Sequence, residues 1–132
     1  MSYLLDTNTW IHYLKNPRSR IREKLAALRP AEVVTCSIVR GELLHGAEKY
    51  GSRSRRIALM QTTLAPFVSL PFDDQDAKKY AKLRHSLEQA GTVIGPYDLQ
   101  IAAICLRHDA TLVTNNVGEF SRVDGLKVED WQ

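Results

Sequence analysis

Three carboxylates, Asp6, Glu42 and Asp98, are the side chains in this sequence best placed to do chemistry. Each stands where a short apolar run meets a stretch of helical spacing. Asp6 closes Tyr3-Leu4-Leu5, Glu42 lies about one turn into the helix after Val33-Val34-Thr35-Cys36, and Asp98 opens the helix leading to Thr111-Leu112-Val113-Thr114. In an open parallel α/β sheet such junctions gather beyond the carboxyl ends of the strands, where ligands bind. Carboxylates gathered there repel one another unless they are protonated or neutralised. A hard divalent cation, Mg²⁺ or Mn²⁺, is the natural neutraliser, since it prefers oxygen, keeps several waters and needs only one or two direct carboxylates. Each acid also has a structural alternative. Asp6 suits an N-cap, worth about 1 kcal/mol. Asp98 suits the positive end of a helix macrodipole, worth roughly 0.3 to 1 kcal/mol. Glu42, taken singly, suits a solvated helix face.

Placing the three acids at one edge demands strands alternating with crossover helices, and the spacing predicts them. After Asp6, Trp10, Ile11 and Leu14 mark a helix that Asn16-Pro17 stops, because the residue before proline avoids the α region. A basic helix over residues 18–29 carries Ile21, Leu25 and Leu28 on one face, and Pro30 closes it. Ser37 is suited to cap the helix that holds Glu42. Ile57, Met60 and Leu64 trace a further helix up to Pro66, and residues 67–70 form a third strand. A long helix over 74–90 ends at Gly91, and Pro96 suits the first position of the next helix. That helix is apolar nearly all round from Leu99 to Leu106 and must be the most buried. Residues 111–114 give a fourth strand, Asn115-Asn116 a polar loop, and 126–128 a short final strand. The expected fold is a single α/β domain over residues 1–132 with a central parallel sheet of four or five strands.

The 132 residues suffice for one core, and 44% hydrophobic with 25% charged residues describes an ordinary globular chain. A formal charge of +3 favours a polyanionic partner only mildly. No apolar run reaches the roughly 20 residues that span a bilayer, and no basic region precedes a secretory segment, so a cytoplasmic protein without membrane attachment is expected. Cys36 and Cys105 lie far apart in apolar surroundings and suit buried reduced thiols. His12, His45, His85 and His108 show no zinc spacing. Neither a phosphate-binding loop nor a dinucleotide fingerprint is present, which excludes nucleotide cofactors, and no GxSxG elbow supports a serine nucleophile.

The ordered set Leu4-Leu5-Asp6-Thr7-Asn8, Gly41-Glu42-Leu43, Ile94-Gly95-Pro96-Tyr97-Asp98, Leu112-Val113-Thr114-Asn115-Asn116 and Glu119-Phe120 resembles the PIN-domain ribonucleases, specifically the VapC toxins of bacterial toxin-antitoxin pairs. The resemblance covers essentially the whole chain. It implies a three-layer α/β/α fold and an endoribonuclease dependent on Mg²⁺ or Mn²⁺, cutting structured RNA, usually tRNA or ribosomal RNA, and thereby inhibiting translation. By position, Asp6 and Asp98 would be direct metal ligands, and Glu42 would hold metal or a coordinated water. Many relatives carry Asp where this chain has Asn116; either Glu119 supplies that charge here, or Asn116 orients a water or the phosphate. The implied partners are a VapB-type antitoxin whose C-terminal segment lies over the active-site groove, operator DNA reached only through that antitoxin, and a second copy of the chain in a homodimer. Trp10, Tyr13, Leu14 and Leu44 are apolar side chains on helices expected to flank that groove.

The chemistry expected of such a site is attack on phosphorus by metal-activated water, with no protein nucleophile. Thr7, Ser37 and Thr114 sit beside the acids and can bond carboxylates or waters. Because an acidic centre repels RNA, the basic stretches Arg18 to Arg29 and Arg53, Arg55 and Arg56 are the candidate phosphate contacts. Two other readings compete. A haloacid dehalogenase-type phosphatase also places Asp after the first strand, but it needs a DxD pair where this chain has Asp6-Thr7-Asn8. A non-catalytic RNA- or partner-binding module would use the acids only as caps; metal-dependent turnover separates the two.

Overall fold

The computed structural model describes residues 1–49 and 51–132. Five strands, β1 (Ser2–Leu5), β2 (Val33–Cys36), β3 (Val68–Leu70), β4 (Ala110–Val113) and β5 (Val128–Glu129), form one parallel sheet in the order β3-β2-β1-β4-β5. β1 belongs at the centre because successive side chains of a strand face opposite sides, and Leu4 and Leu5 are both fully buried. Leu4 sits opposite Val34 on one flank and Leu112 on the other, and Leu5 sits opposite Val113. All four positions of β4 are buried too, whereas Val68 on the edge strand β3 is 63% exposed. The chain winds outward from β1 through β2 to β3, then returns to β4 on the far side. The adjacent carboxyl ends of β1 and β4 therefore mark the reversal of winding, where a crevice opens.

Helices α1 (Thr7–Lys15), α2 (Arg20–Ala26), α3 (Ser37–Glu48) and α4 (Arg53–Leu64) fill the first two crossovers, α5 (Asp74–Ala90) and α6 (Pro96–Arg107) the third. Right-handed crossovers in opposite winding directions put the first set on one face of the sheet and α5 and α6 on the other, which gives the three layers expected. In α6, Leu99 and every residue from Ile101 to Cys105 are buried, and each large aliphatic side chain so placed contributes about 1.5–3 kcal/mol. Gly91 ends α5 in the left-handed region, φ 70°, with Thr92 N–H donating to the Leu87 carbonyl across the turn. At the other end of α5, Asp73 accepts from the backbone N–H groups of Gln75 and Asp76, while Asp76 accepts from Asp73 N–H. Arg107 Nη1 joins this pair, 2.7 Å from Asp73 Oδ1 and 3.2 Å from the fully buried Asp76, and so fastens α6 to α5.

Several boundaries differ from the sequence reading. The basic helix is shorter, Arg20–Ala26, and Pro30–Glu32 form a 3-10 turn whose Glu32 side chain accepts from Arg29 N–H. Cys36, not Ser37, occupies the N-cap position of α3; Ser37 is already helical, and its Oγ accepts from Phe72 N–H instead. β3 starts at Val68 and β4 at Ala110. A one-turn helix α7 (Val117–Phe120) follows the Asn115-Asn116 loop, in a stretch to which the spacing assigned no element; four residues are too few to show a period. β5 falls at Val128–Glu129, fixed by Thr114 N–H donating to the Glu129 carbonyl. Trp131 packs its ring against Tyr3, centroids 5.4 Å apart, and donates from Nε1 to Glu129. Cys36 and Cys105 are free and buried; burial pushes the Cys36 thiol up to about 11 and the Cys105 thiol higher still, so neither is a nucleophile at neutral pH. Among the described residues no helix is long and apolar enough to cross a membrane.

Candidate active site

Asp6 is where the sheet delivers its first carboxylate. Its backbone N–H donates to the Val113 carbonyl at 3.0 Å, extending the β1–β4 ladder by one rung. Extended backbone then gives way to α1, and Oδ1 accepts from Thr9 N–H at 2.9 Å. Thr9 Oγ1 returns to the same Val113 carbonyl. The capping reading of Asp6 is therefore correct, and it occupies one oxygen only. The side chain is 7% exposed, a burial far beyond what an ordinary surface cap requires.

Glu42 reaches the same edge from the second turn of α3, the helix that follows β2. Thr7, the first residue of α1, donates its hydroxyl to Glu42 Oε1 at 2.7 Å, so the glutamate is held rather than swinging in solvent. Asp98 lies in the first turn of α6. Helix position alone would favour its charged form. Instead its carboxyl is pushed up to about 6, first by burial and then by the charges of Glu119, Glu42 and Asp6 in that order. Four acids separated by more than a hundred residues thus share one electrostatic environment. Glu119 comes from α7 and accepts from Asn116 Nδ2 at 2.6 Å. Asn116 N–H is itself held by Thr114 Oγ1 at 3.0 Å. Among the described residues no Lys, Arg or His forms a salt bridge with any of the four acids.

The donor set is entirely oxygen, half-buried, and in need of positive charge, which suits a hard divalent ion. Among the described residues no three His, Cys, Asp or Glu side chains converge into a ready cage. A cation that keeps most of its waters does not require one, so the residues present fit such an ion.

Beside the acids runs a groove of about 830 Å³ between α1, α3 and α4. Each helix presents one face to it: Thr7, Ile11, Leu14 and Lys15 from α1; Ile38, Glu42, His45 and Lys49 at the turn spacings of α3; Arg56, Leu59 and Met60 from α4. Tyr97 closes one wall. Of the three arginines expected to meet phosphate, Arg56 lines the groove; Arg53 is held by Glu48, and Arg55 is exposed but not among the lining residues. Lys15 and Lys49, which the charge runs did not single out, line it as well. The i, i+4, i+8 step from Thr7 through Ile11 to Lys15 is the signal that could have found the first of them. Leu14 lies in the groove as expected, but Trp10 and Tyr13 face a smaller cleft with Phe67 and Arg22, and Leu44 packs against the core.

The PIN domain family model matches residues 3–126. The chain is 36% identical over 131 residues to the tRNA(fMet)-specific endonuclease VapC of Salmonella typhimurium, covering 99% of this chain and 98% of that one. It is 33% identical over 132 residues to ribonuclease VapC2 of Rickettsia felis, again covering 99% and 98%. Among solved structures, the DNA-bound VapBC of Salmonella typhimurium superposes with a TM-score of 0.93 at 35% identity, covering 100% of this chain and 99% of that one.

Proposed function

Because the chain belongs to the PIN-domain family, and within it to the VapC ribonucleases, we propose that it is the endoribonuclease toxin of a toxin-antitoxin pair and cleaves structured RNA, tRNA first among candidates. The observation that carries this reading is that Glu119, Glu42 and Asp6 all act electrostatically on the half-buried Asp98, while among the described residues no Lys, Arg or His forms a salt bridge with any of the four acids. A fold does not assemble such a set for stability, since it raises the cost of charging Asp98.

PIN-domain ribonucleases are metal-dependent, and the ion suited to this donor set is Mg²⁺ or Mn²⁺. Asp6 and Asp98 would hold it. When bound, the ion supplies Lewis-acid activation of water and neutralises charge that develops at phosphorus. Thr7 keeps Glu42 Oε1 fixed, leaving its other oxygen to orient a water for attack on phosphorus. Asn116 holds Glu119 toward Asp98, so Glu119 fills the fourth acidic position and Asn116 positions it. Asp6 keeps its orientation through the Thr9 cap whether or not a ligand is present. RNA approaches an acidic centre only if its other phosphates meet positive charge. Lys15, Lys49 and Arg56 in the groove, with Arg55 at the head of α4, supply it, and Arg53 beside them contributes once it leaves Glu48.

The partners follow from the same groove. Ile11, Leu14, Leu43, Leu59 and Met60 give it an apolar floor that an RNA backbone does not use but a peptide segment does. A VapB-type antitoxin lays its C-terminal segment there and carries the complex to operator DNA; the toxin forms a homodimer and works in the cytoplasm as a single PIN domain over residues 1–132. The deciding experiment is cleavage of a total tRNA pool by the purified protein with Mg²⁺, with chelator, and by Asp6→Asn. A discrete fragment set that requires both the metal and Asp6 supports the reading. No cleavage of tRNA or ribosomal RNA by folded wild-type protein under any divalent ion overturns it in favour of a non-catalytic module.

A further inference from the structure

Among the described residues, the aromatic side chains are almost all put to structural use. Trp10 packs against Tyr13 and Phe67, Tyr3 against Trp131, and Phe72 against Tyr80, while Phe120 is 1% exposed. Tyr97 departs from this pattern. It is 60% exposed and, among the described residues, is the one aromatic residue in the exposed class. Among the described residues it makes no ring contact or side-chain hydrogen bond. It also lies at the start of the most buried helix of the fold, immediately before Asp98, and walls the groove that contains Thr7, Glu42 and Arg56. A tyrosine left bare there loses the apolar burial that Leu99 and Ile101 gain a few residues on.

We propose that Tyr97 is a base-stacking platform, and that an unpaired base next to the scissile phosphate lies on its ring. The inference rests on the nuclease reading above and names the feature of the RNA that the site selects. Tyr97 lines the same groove as Glu42 and Thr7, so a base on its ring lies beside a phosphate seated at the acids. Every base has a π face, and stacking on an aromatic side chain is tolerant of sequence. Bases of an A-form duplex are already stacked on one another and present no free face, whereas loops, bulges and ends do. Tyr97 thus restricts cleavage to single-stranded segments of an otherwise structured RNA. The ring, not the hydroxyl, is the working part.

The test uses full-length protein carrying Asp6→Asn, so that RNA is bound and not cut, and two RNA oligonucleotides with 2-aminopurine placed in a loop or in a stem. With Tyr97 present, the loop probe binds with quenched fluorescence, and the stem probe does not. Tyr97→Ala abolishes the quench and weakens loop binding about tenfold, whereas Tyr97→Phe keeps both. In otherwise wild-type protein, Tyr97→Ala raises KM for tRNA cleavage about tenfold with kcat within about twofold, and its Tm is unchanged. Equal quenching and affinity in Tyr97→Ala overturn the proposal while wild-type cleavage leaves the nuclease reading standing. A loss confined to antitoxin binding or to dimer formation also overturns it and assigns the ring to a protein partner. Ring-dependent quenching in a protein that cleaves no RNA supports stacking and removes the nuclease reading instead.

Discussion

Two groups of carboxylates in this molecule meet opposite fates. At the start of α5, Asp73 and Asp76 cap the helix reciprocally, and Arg107 lies 2.7 Å and 3.2 Å from them. Hydrogen bonds from the Asp76 backbone, then Arg107, hold the Asp73 carboxyl below its ordinary range. At the crevice between β1 and β4, Asp6, Glu42 and Glu119 receive backbone, hydroxyl and amide donors, none of the four acids there has a salt bridge among the described residues, and Asp98 is pushed up to about 6. The first group carries its own counter-charge and closes two helices together. The second leaves the counter-charge to be supplied from outside, which is how a binding site differs from a staple made of the same residue type.

The sharpest way to test that contrast is to remove charge from each group. Asp98→Asn or Asp6→Asn is expected to lower tRNA cleavage by about 10³-fold or more while the fold persists, as measured by initial rates and circular dichroism. Asn at position 6 still offers an oxygen to Thr9 N–H, so the cap survives. If either variant retained activity within about tenfold, the crevice acids would be no more catalytic than Asp73 and Asp76. Asn116→Ala releases Glu119 without removing a carboxylate and is expected to lower kcat/KM by about 10- to 100-fold. Asn116→Asp should be at least as damaging here, because it loses the amide donor and sets a like charge beside Glu119.

Arg107→Ala does the opposite of these variants. Expected are a Tm lower by several degrees and cleavage per folded molecule unchanged within about twofold, measured by thermal melts alongside the tRNA assay. A large loss of activity at unchanged Tm would break the comparison. The smallest effect is the dependence of stability on pH. Without metal, Asp98 has a native value of about 6 against 3.8 for the free side chain, so the native state binds the extra proton between them. Stability therefore falls as pH rises from about 4 to about 6 and stays lower above that, by about 1 kcal/mol for a group still partly in contact with solvent. Mg²⁺ should shrink this loss and Asp98→Asn should abolish it, both readable as Tm against pH.

Much of this was legible in the chain itself. Apolar runs ending in Asp6 and followed by helical spacing fixed β1 and α1, and the apolar faces of residues 99–106 marked α6 as the buried helix. The joint placement of Asp6, Glu42 and Asp98 followed from the parallel topology. What could not be read was set by contacts too local or too distant for periodicity. α7 is a single turn, and the bond from Asn116 to Glu119 within it needs the turn to exist first. Ser37 looked like a cap by type, yet its partner is Phe72, brought near only by the pairing of β2 with β3. The basic residues were judged by their density in the sequence, which favoured Arg53 and Arg55 over Lys15 and Lys49; the groove is lined according to helix face, not density.

The order of strands also has a consequence for how the chain is made. β1 is synthesised first and ends in the middle of the sheet, but Asp6 is anchored by Val113, and its electrostatic partners arrive at residues 42, 98 and 119 of 132. Contacts of such long sequence separation form late and together. A polypeptide released by a ribosome anywhere before residue 119 lacks part of the site, and one released before residue 98 also lacks α6, the packing centre of the fold. On the nuclease reading, cleavage is therefore expected only from chains that were completed and folded.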